Sequence, residues 1–336
     1  MKRLVLVMLA LVLLQCLVAG AATAQSPCQI GFTVATIGYF NIPGVTCGSW
    51  EEFVFLLVCV GNSSKCAPAV SPGEVCHGGC SAPTASSPIS LGTGDTYIEQ
   101  TDVRVPGLSN GLTLVRTWNS EWPSSQLASQ IGIFGPNWRS TYEERVFLGN
   151  DGYIRYARSD GTFWSFGIGG PGWAVAAPAN AGATLVQGST SWTLTLKNGE
   201  QRQFDINSGS LTAIIDRNGN TTQLTYDGLN RLVKVTDPVS RHLTFTYPSN
   251  TSFLVTGVSS DVGLSLTYTY DSQNRLSQVT KPDQTTLSFQ YDSNSMITAV
   301  LDANGKTLES HTYDSSQRGL TGSKANGVEA VTISYQ

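Results

Sequence analysis

Charge is scarce in this chain. Only 13% of its 336 residues are Asp, Glu, Lys or Arg, about half the roughly 25% of an ordinary soluble domain. That excludes a coiled coil, a helical bundle rich in Glu and Lys, and a charge-driven disordered chain. Histidine is rarer still, at three residues. Neither a G-x-S-x-G elbow nor an H-E-x-x-H pair occurs. No catalytic residue, metal ligand set or cofactor is assigned, and an enzyme is not expected. The net charge of −4 and pI near 5.4 give no basic field, so nucleic acid is not an expected partner. Cysteine is absent after residue 80.

What the chain has instead is Ser and Thr, 72 residues together, with 34 Gly and a full set of aromatics. Small hydroxyl residues and aromatics with many turn formers read as all-β. The N-terminus carries a different signal. Lys2 and Arg3 precede an apolar run from Leu4 to Val18, and Ala22-Thr23-Ala24 is a small-x-small cleavage site. The run is shorter than the ~20 residues of a spanning helix. Residues 1–24 are therefore expected to be a signal peptide, with the product secreted or at the cell surface and no membrane span after cleavage.

Removal of the signal takes Cys16 with it. Cys28, Cys47, Cys59, Cys66, Cys76 and Cys80 remain. An even, clustered set in an exported chain reads as three disulfides, and 15 connectivities are open. Residues 25–80 are thus expected to be a small cysteine-rich domain. Residues 81–90 read as a polar linker containing Pro. From 91 to 200 short alternating stretches such as GLTLVRTW and SWTLTL, separated by Asn-Gly and Asp-Gly pairs, predict strands and hairpins.

From residue 201 to 336 the sequence repeats. An alternating strand ends on an aromatic residue at Phe204, Tyr226, Tyr247, Tyr270, Tyr291, Tyr313 and Tyr335, spaced by 22, 21, 23, 21, 22 and 22 residues. Near-constant spacing in this range marks a repeat architecture. Between the anchors stand Asp216, Asp237, Asp261, Asp283 and Asp302, each suited to the first position of a turn. Two strands of about six residues and two short turns account for about 20 residues. Each repeat is one hairpin's worth of chain. Alternate apolar positions, such as Leu243, Phe245 and Tyr247, give one apolar and one polar face. Neighbouring anchors are expected to stack ring on ring. Asn230 and Asn274 stand where a positive φ is needed.

These residues resemble the YD-repeat (Rhs) family. Its YDxxGRL unit is similar to YDGLNRL at 226–232 and YDSQNRL at 270–276, and its intervening turn is similar to DRNGN at 216–220. PISLGTGDTYIEQTD, LTLVRTWNS and DGYIRYARSDGTFWSF, within 88–166, resemble the region that precedes the repeats in such proteins. Asn230 and Asn274 replace the family's turn Gly, and Pro248 follows Tyr247 where the pattern has Asp. The resemblance implies tandem β-hairpins in a long curved antiparallel sheet, of the kind that coils into a hollow shell, often around a C-terminal toxin. Teneurin and toxin-complex proteins are similar. About six repeats are present, and the chain stops at Gln336 just after an anchor, which reads as the N-terminal part of a longer protein.

The functional expectation is a non-catalytic exported scaffold, part of a YD-repeat shell of a cell-surface or toxin-delivery protein. Its expected partners are further YD repeats or a C-terminal cargo or toxin domain. The alternative is a carbohydrate-binding adhesion module. Sugars stack on exposed aromatics, and Trp118, Trp122, Trp138 and Trp164 are the candidates for that contact with surface carbohydrate, against the plainer reading of core packing.

Overall fold

The computed structural model describes residues 89–91, 93–120, 132–149, 152–169, 172–177 and 181–335, with the short strands Gln29–Gly31, Phe40–Asn41, Val58–Val60 and Thr84–Ala85. Residues 1–24, Trp122 and the side chains of all six candidate disulfide cysteines lie outside the described residues. The first three short strands form their own three-stranded sheet, with Gln29–Gly31 in the middle, and belong to one compact unit. Residues 89–149 and 154–335 belong to a second.

Among its described residues the second unit is β-structure with two single-turn 3₁₀ segments, Leu108–Asn110 and Ala325–Gly327. Among the described residues no helix is long and apolar enough to cross a membrane. Antiparallel pairing follows chain order from Arg145–Leu148 to Val328–Thr332, each strand bonded to its sequence neighbour. Strand Arg145–Leu148 also bridges from Arg145 to Ser210, so the ladder closes on itself at that point. The sheet runs through residue 200 without a break, because Ser191–Thr195 pairs with Gln201–Asp205.

Period-two alternation holds along the repeats. Leu224, Leu243, Phe245, Leu266, Tyr268, Leu287 and Phe289 are buried, while Thr225, Thr244, Thr246, Ser265, Thr267 and Thr269 are exposed. Apolar side chains leave water on one face and hydroxyls stay in it on the other.

Against the buried face lies a smaller sheet of Tyr97–Val105, Leu112–Asn119 and Trp138–Ser140. Leu112–Asn119 is buried at nearly every position, as expected of a strand covered on both faces. One core cluster joins the two sheets.

Of the residues expected as a linker, 84–85 and 89–90 are described. Ile89 and Ser90 are buried, and Ile89–Ser90 pairs with Thr84–Ala85. Ile89 is an apolar side chain with a core to enter, and the local Ser/Pro composition does not outweigh that.

Candidate functional site

The repeating unit is built from its turn. In Asp227-Gly-Leu-Asn-Arg231 the Asp227 Oδ1 accepts the N–H groups of Leu229 and Arg231 at 2.9 and 3.0 Å. Its Oδ2 accepts Arg231 Nε–H at 2.8 Å. Asn230, one residue before the Arg, has φ 57°, a left-handed position that Asn tolerates. The same pattern recurs around Asp271 with Arg275 and Asp314 with Arg318. It also recurs on the opposite rim at Asp216, Asp237 and Asp302.

These bonds depress the carboxyls of Asp216, Asp227, Asp271 and Asp314. Asp314 lies below the usual carboxylate range because the Arg318 N–H and guanidinium hold it ionised. Asp216 is lowered first by the Asn220 side chain. At Asp227 partial desolvation works the other way, and Arg231 with the turn N–H groups outweighs it.

Beyond the turn, the anchor connects one hairpin to the one before. Tyr226, Tyr247, Tyr270, Tyr291, Tyr313 and Tyr335 donate their hydroxyls to the carbonyls of Leu211, Leu232, Val255, Leu276, Ile297 and Gly319, at 2.6–2.9 Å. Leu211, Leu232, Leu276, Ile297 and Gly319 each face an earlier anchor where the ladder shifts register. A bulge disrupts the ladder locally and bends the strand, and the next anchor's hydroxyl satisfies the carbonyl beside it.

The expected ring-on-ring stacking is replaced by another contact. Arg231 lies over the Tyr247 ring at 4.6 Å, Arg275 over Tyr291 at 4.7 Å and Arg318 over Tyr335 at 4.0 Å. Anchors sit two strands apart, about 9–10 Å at the usual strand spacing, which is too far for direct ring stacking. At three steps an Arg from the turn after one anchor lies over the ring of the next. Phe204, the first anchor, is fully buried and packs edge-on against Tyr156 at 5.9 Å.

Where the repeat departs from pattern, the preceding region takes part. After Tyr247 and Pro248 no Asp–Arg pair closes the turn. Arg231 Nη1–H instead donates to the carbonyls of Ser249 and Ser252, both at 2.8 Å. The Ile133 carbonyl accepts the Val255 N–H at 2.8 Å and the Tyr270 hydroxyl at 3.3 Å. Comparable main-chain bonds run from Gly319 N–H to the Gly94 carbonyl at 2.8 Å and from Val146 N–H to the Gly209 carbonyl at 3.0 Å. Gly209 has φ 67°, and a Cβ there would collide with the Val146 carbonyl, so only Gly fits.

At the centre of the contact between the two sheets Arg116 is fully buried. Asp102 takes its Nε–H and, at 2.8 Å, its Nη2–H, and also accepts the Tyr268 hydroxyl at 2.8 Å. The guanidinium carbon lies 4.8–5.9 Å from the rings of Trp138, Phe134, Tyr268 and Phe289. Burial opposes the Arg116 charge, but Asp102 more than offsets it, and the group is held protonated above its ordinary range. Neither Arg116 nor Asp102 was singled out from the sequence. The available signal was a charged residue inside the otherwise apolar stretch LTLVRTW.

The tryptophan expectation is corrected in part. Trp118 and Trp138 are fully buried and offer no ring face to a sugar. Both lie on the strand faces that pack against the repeats, where a large apolar ring gains most from leaving water. Trp164 is half-buried, with Arg158 over its ring at 4.9 Å and Tyr156 at its edge. Among the described residues no group of His, Cys, Asp and Glu could hold a metal ion.

The RHS Repeat family model matches residues 208–242, 254–286 and 270–307. Those segments carry RHS repeats, which bears out the resemblance to the YD-repeat (Rhs) family. A domain of unknown function, DUF6531, matches residues 86–166, the region whose backbone meets the RHS repeats. Two curated relatives are similar over 147 residues, each at 30% identity. They are the tRNA nuclease WapA of Bacillus subtilis (strain 168) and the tRNA3(Ser)-specific nuclease WapA of Bacillus spizizenii. The match takes in 44% of this chain and spans 6% of each relative.

Among solved structures, TcdB2-TccC3 without its hypervariable C-terminal region aligns over 69% of this RHS chain and 12% of that chain. Its identity is 15% and its TM-score 0.27. A Photorhabdus luminescens Tc holotoxin pore aligns over 70% of this chain and 17% of that chain, at 13% identity and TM-score 0.24.

Proposed function

We propose that this RHS-repeat chain is a non-catalytic, exported scaffold, one section of a YD-repeat shell in a larger toxin-type or cell-surface protein. The observation that carries the reading is the anchor ladder. Each hairpin is tied to the previous one by a Tyr hydroxyl and, at alternate steps, by an Arg over the ring. The most regular chemistry of the molecule is therefore spent on holding hairpins in line. The long WapA relatives support a place within a larger chain, and the N-terminal signal pattern supports export. Further YD repeats and a C-terminal cargo or toxin domain are the partners in this reading.

The test is expression from the native start codon in a secreting bacterial host. The expected product is outside the cell, with a new N-terminus near Gln25. Retention in the cytoplasm with an intact N-terminus would overturn export. A hydrolytic activity abolished by one Asp or Glu substitution, in a variant with unchanged melting, would overturn the non-catalytic assignment.

A further inference from the structure

Equivalent positions of the repeats differ in a few places. Two residues before the anchor stand Leu224, Phe245 and Phe289, but also Arg202, Tyr268 and His311. The residue facing an earlier anchor is Leu211, Leu232, Leu276 or Ile297, but Gly319 opposite Tyr313. The left-handed turn position holds Asn230, Asn274, Ser295 or Gln317, but Gly209 after Phe204. Each exception weakens the repeat sheet taken alone. A polar group at an apolar position needs a buried partner. A glycine in a strand has no side chain to pack, and one in a turn loses more entropy on folding.

Four of these five exceptions meet segment 89–149. Arg202 Nε–H donates to Glu144 at 3.0 Å, and Tyr268 donates its hydroxyl to Asp102 at 2.8 Å. Asp102 is the extra residue of a β-bulge, since Thr101 faces Val115 and Val103 faces Leu114. A bulge re-aims a side chain, and this one turns a buried carboxylate to both Arg116 and the repeat sheet. Gly319 N–H donates to the Gly94 carbonyl at 2.8 Å, and a Cβ there would collide with the Thr96 hydroxyl. Gly209 accepts the Val146 N–H, and a Cβ there would meet the Val146 carbonyl. The fifth exception, His311, pairs with Glu309 of its own strand.

We propose that Arg202, Gly209, Tyr268 and Gly319 form a recognition seat, the residues by which the repeat sheet selects segment 89–149 as its covering layer. The ordinary repeat residues would refuse that layer. A Phe at 268 has no donor for Asp102, and a Leu at 319 has no room beside Thr96. The seat is independent of export and of any larger shell.

The test restores the pattern in the full chain and reads amide hydrogen exchange by region. Restoring the usual residue of a repeat commonly raises stability. Tyr268→Phe is expected instead to speed exchange at 97–105 and 112–119 about tenfold, the size of one buried charge-assisted hydrogen bond. Gly319→Leu is expected to do the same at 89–98. Two controls alter the repeats outside the seat. Ser295→Asn supplies the pattern's turn residue, and Tyr247→Phe removes a hydroxyl bonded to the Leu232 carbonyl within the sheet. Both are expected to leave 89–119 as in wild type. Unchanged or slower exchange at 97–119 in Tyr268→Phe would overturn the proposal, and so would an equal loss there in Tyr247→Phe. Should Gly319→Leu fail to fold, Tyr268→Phe, which removes a single oxygen, decides alone.

Discussion

At the scale of single residues, two kinds of polar contact hold the RHS chain together, and they differ in cost. The Arg116–Asp102–Tyr268 group is buried between two sheets. Removing one partner of a buried ion pair leaves an uncompensated charge, at about 3–5 kcal/mol. Asp102→Ala is therefore expected to lower stability by about that amount in chemical denaturation. Replacing Arg116 and Asp102 together by apolar residues of similar volume should cost much less than the sum of the single changes. Additive losses would show that the pair is not a coupled unit. Anchor hydroxyls are a smaller matter each. Tyr291→Phe removes the bond to the Leu276 carbonyl and is expected to cost about 1 kcal/mol, while Tyr270→Ser, which also removes the ring, should cost about 3–5 kcal/mol. Unchanged melting in both variants would contradict the ladder.

At the scale of the element, the hairpin is specified by its turn. Asn274 has φ 61°. Asn274→Ala places a Cβ in the left-handed region and is expected to cost about 1 kcal/mol, whereas Asn274→Gly should be close to neutral, as read by thermal melting. The turn carboxyls bring a pH dependence whose sign follows from their depressed values. Their stabilisation is present above the ordinary Asp pKa of about 4 and is lost as pH falls through the lower folded values. The melting temperature is expected to drop below about pH 4, less steeply when Asp314 is replaced by Asn. A flat profile down to about pH 2 would show that these caps contribute nothing.

At the scale of the whole second unit, the repeats do not bury their apolar face alone. The region at 89–146 supplies the opposing layer through Leu112, Leu114, Trp118, Phe134 and Trp138, and its backbone ties to hairpins far along the chain at Gly209, Val255 and Gly319. Contacts across such sequence separation are costly in loop entropy to form. Substitutions at Gly209 that collide with the Val146 carbonyl are expected to loosen the start of the sheet without disturbing the last hairpins. Hydrogen exchange would resolve this by region, and uniform loss of protection would mean that the unit unfolds as one.

The repeat register, the strand alternation, the turn caps at Asp216, Asp237 and Asp302 and the positive φ at Asn230 and Asn274 were legible in the order of residues, because each depends on neighbours within about five positions or on a period of 21–23. Asp261 and Asp283 do not open their turns, which start at Ser260 and Lys281. Ring-on-ring stacking failed as an expectation because inter-repeat distance is set by the sheet and not by the chain. The burial of Trp118 and Trp138, the Arg116 group and the exchange of an Asp–Arg turn for the Ile133 contact after Pro248 join residues from about 20 to more than 150 positions apart. Composition and periodicity record what each segment wants locally. Only the packing of one sheet on the other decides which polar group meets which carbonyl.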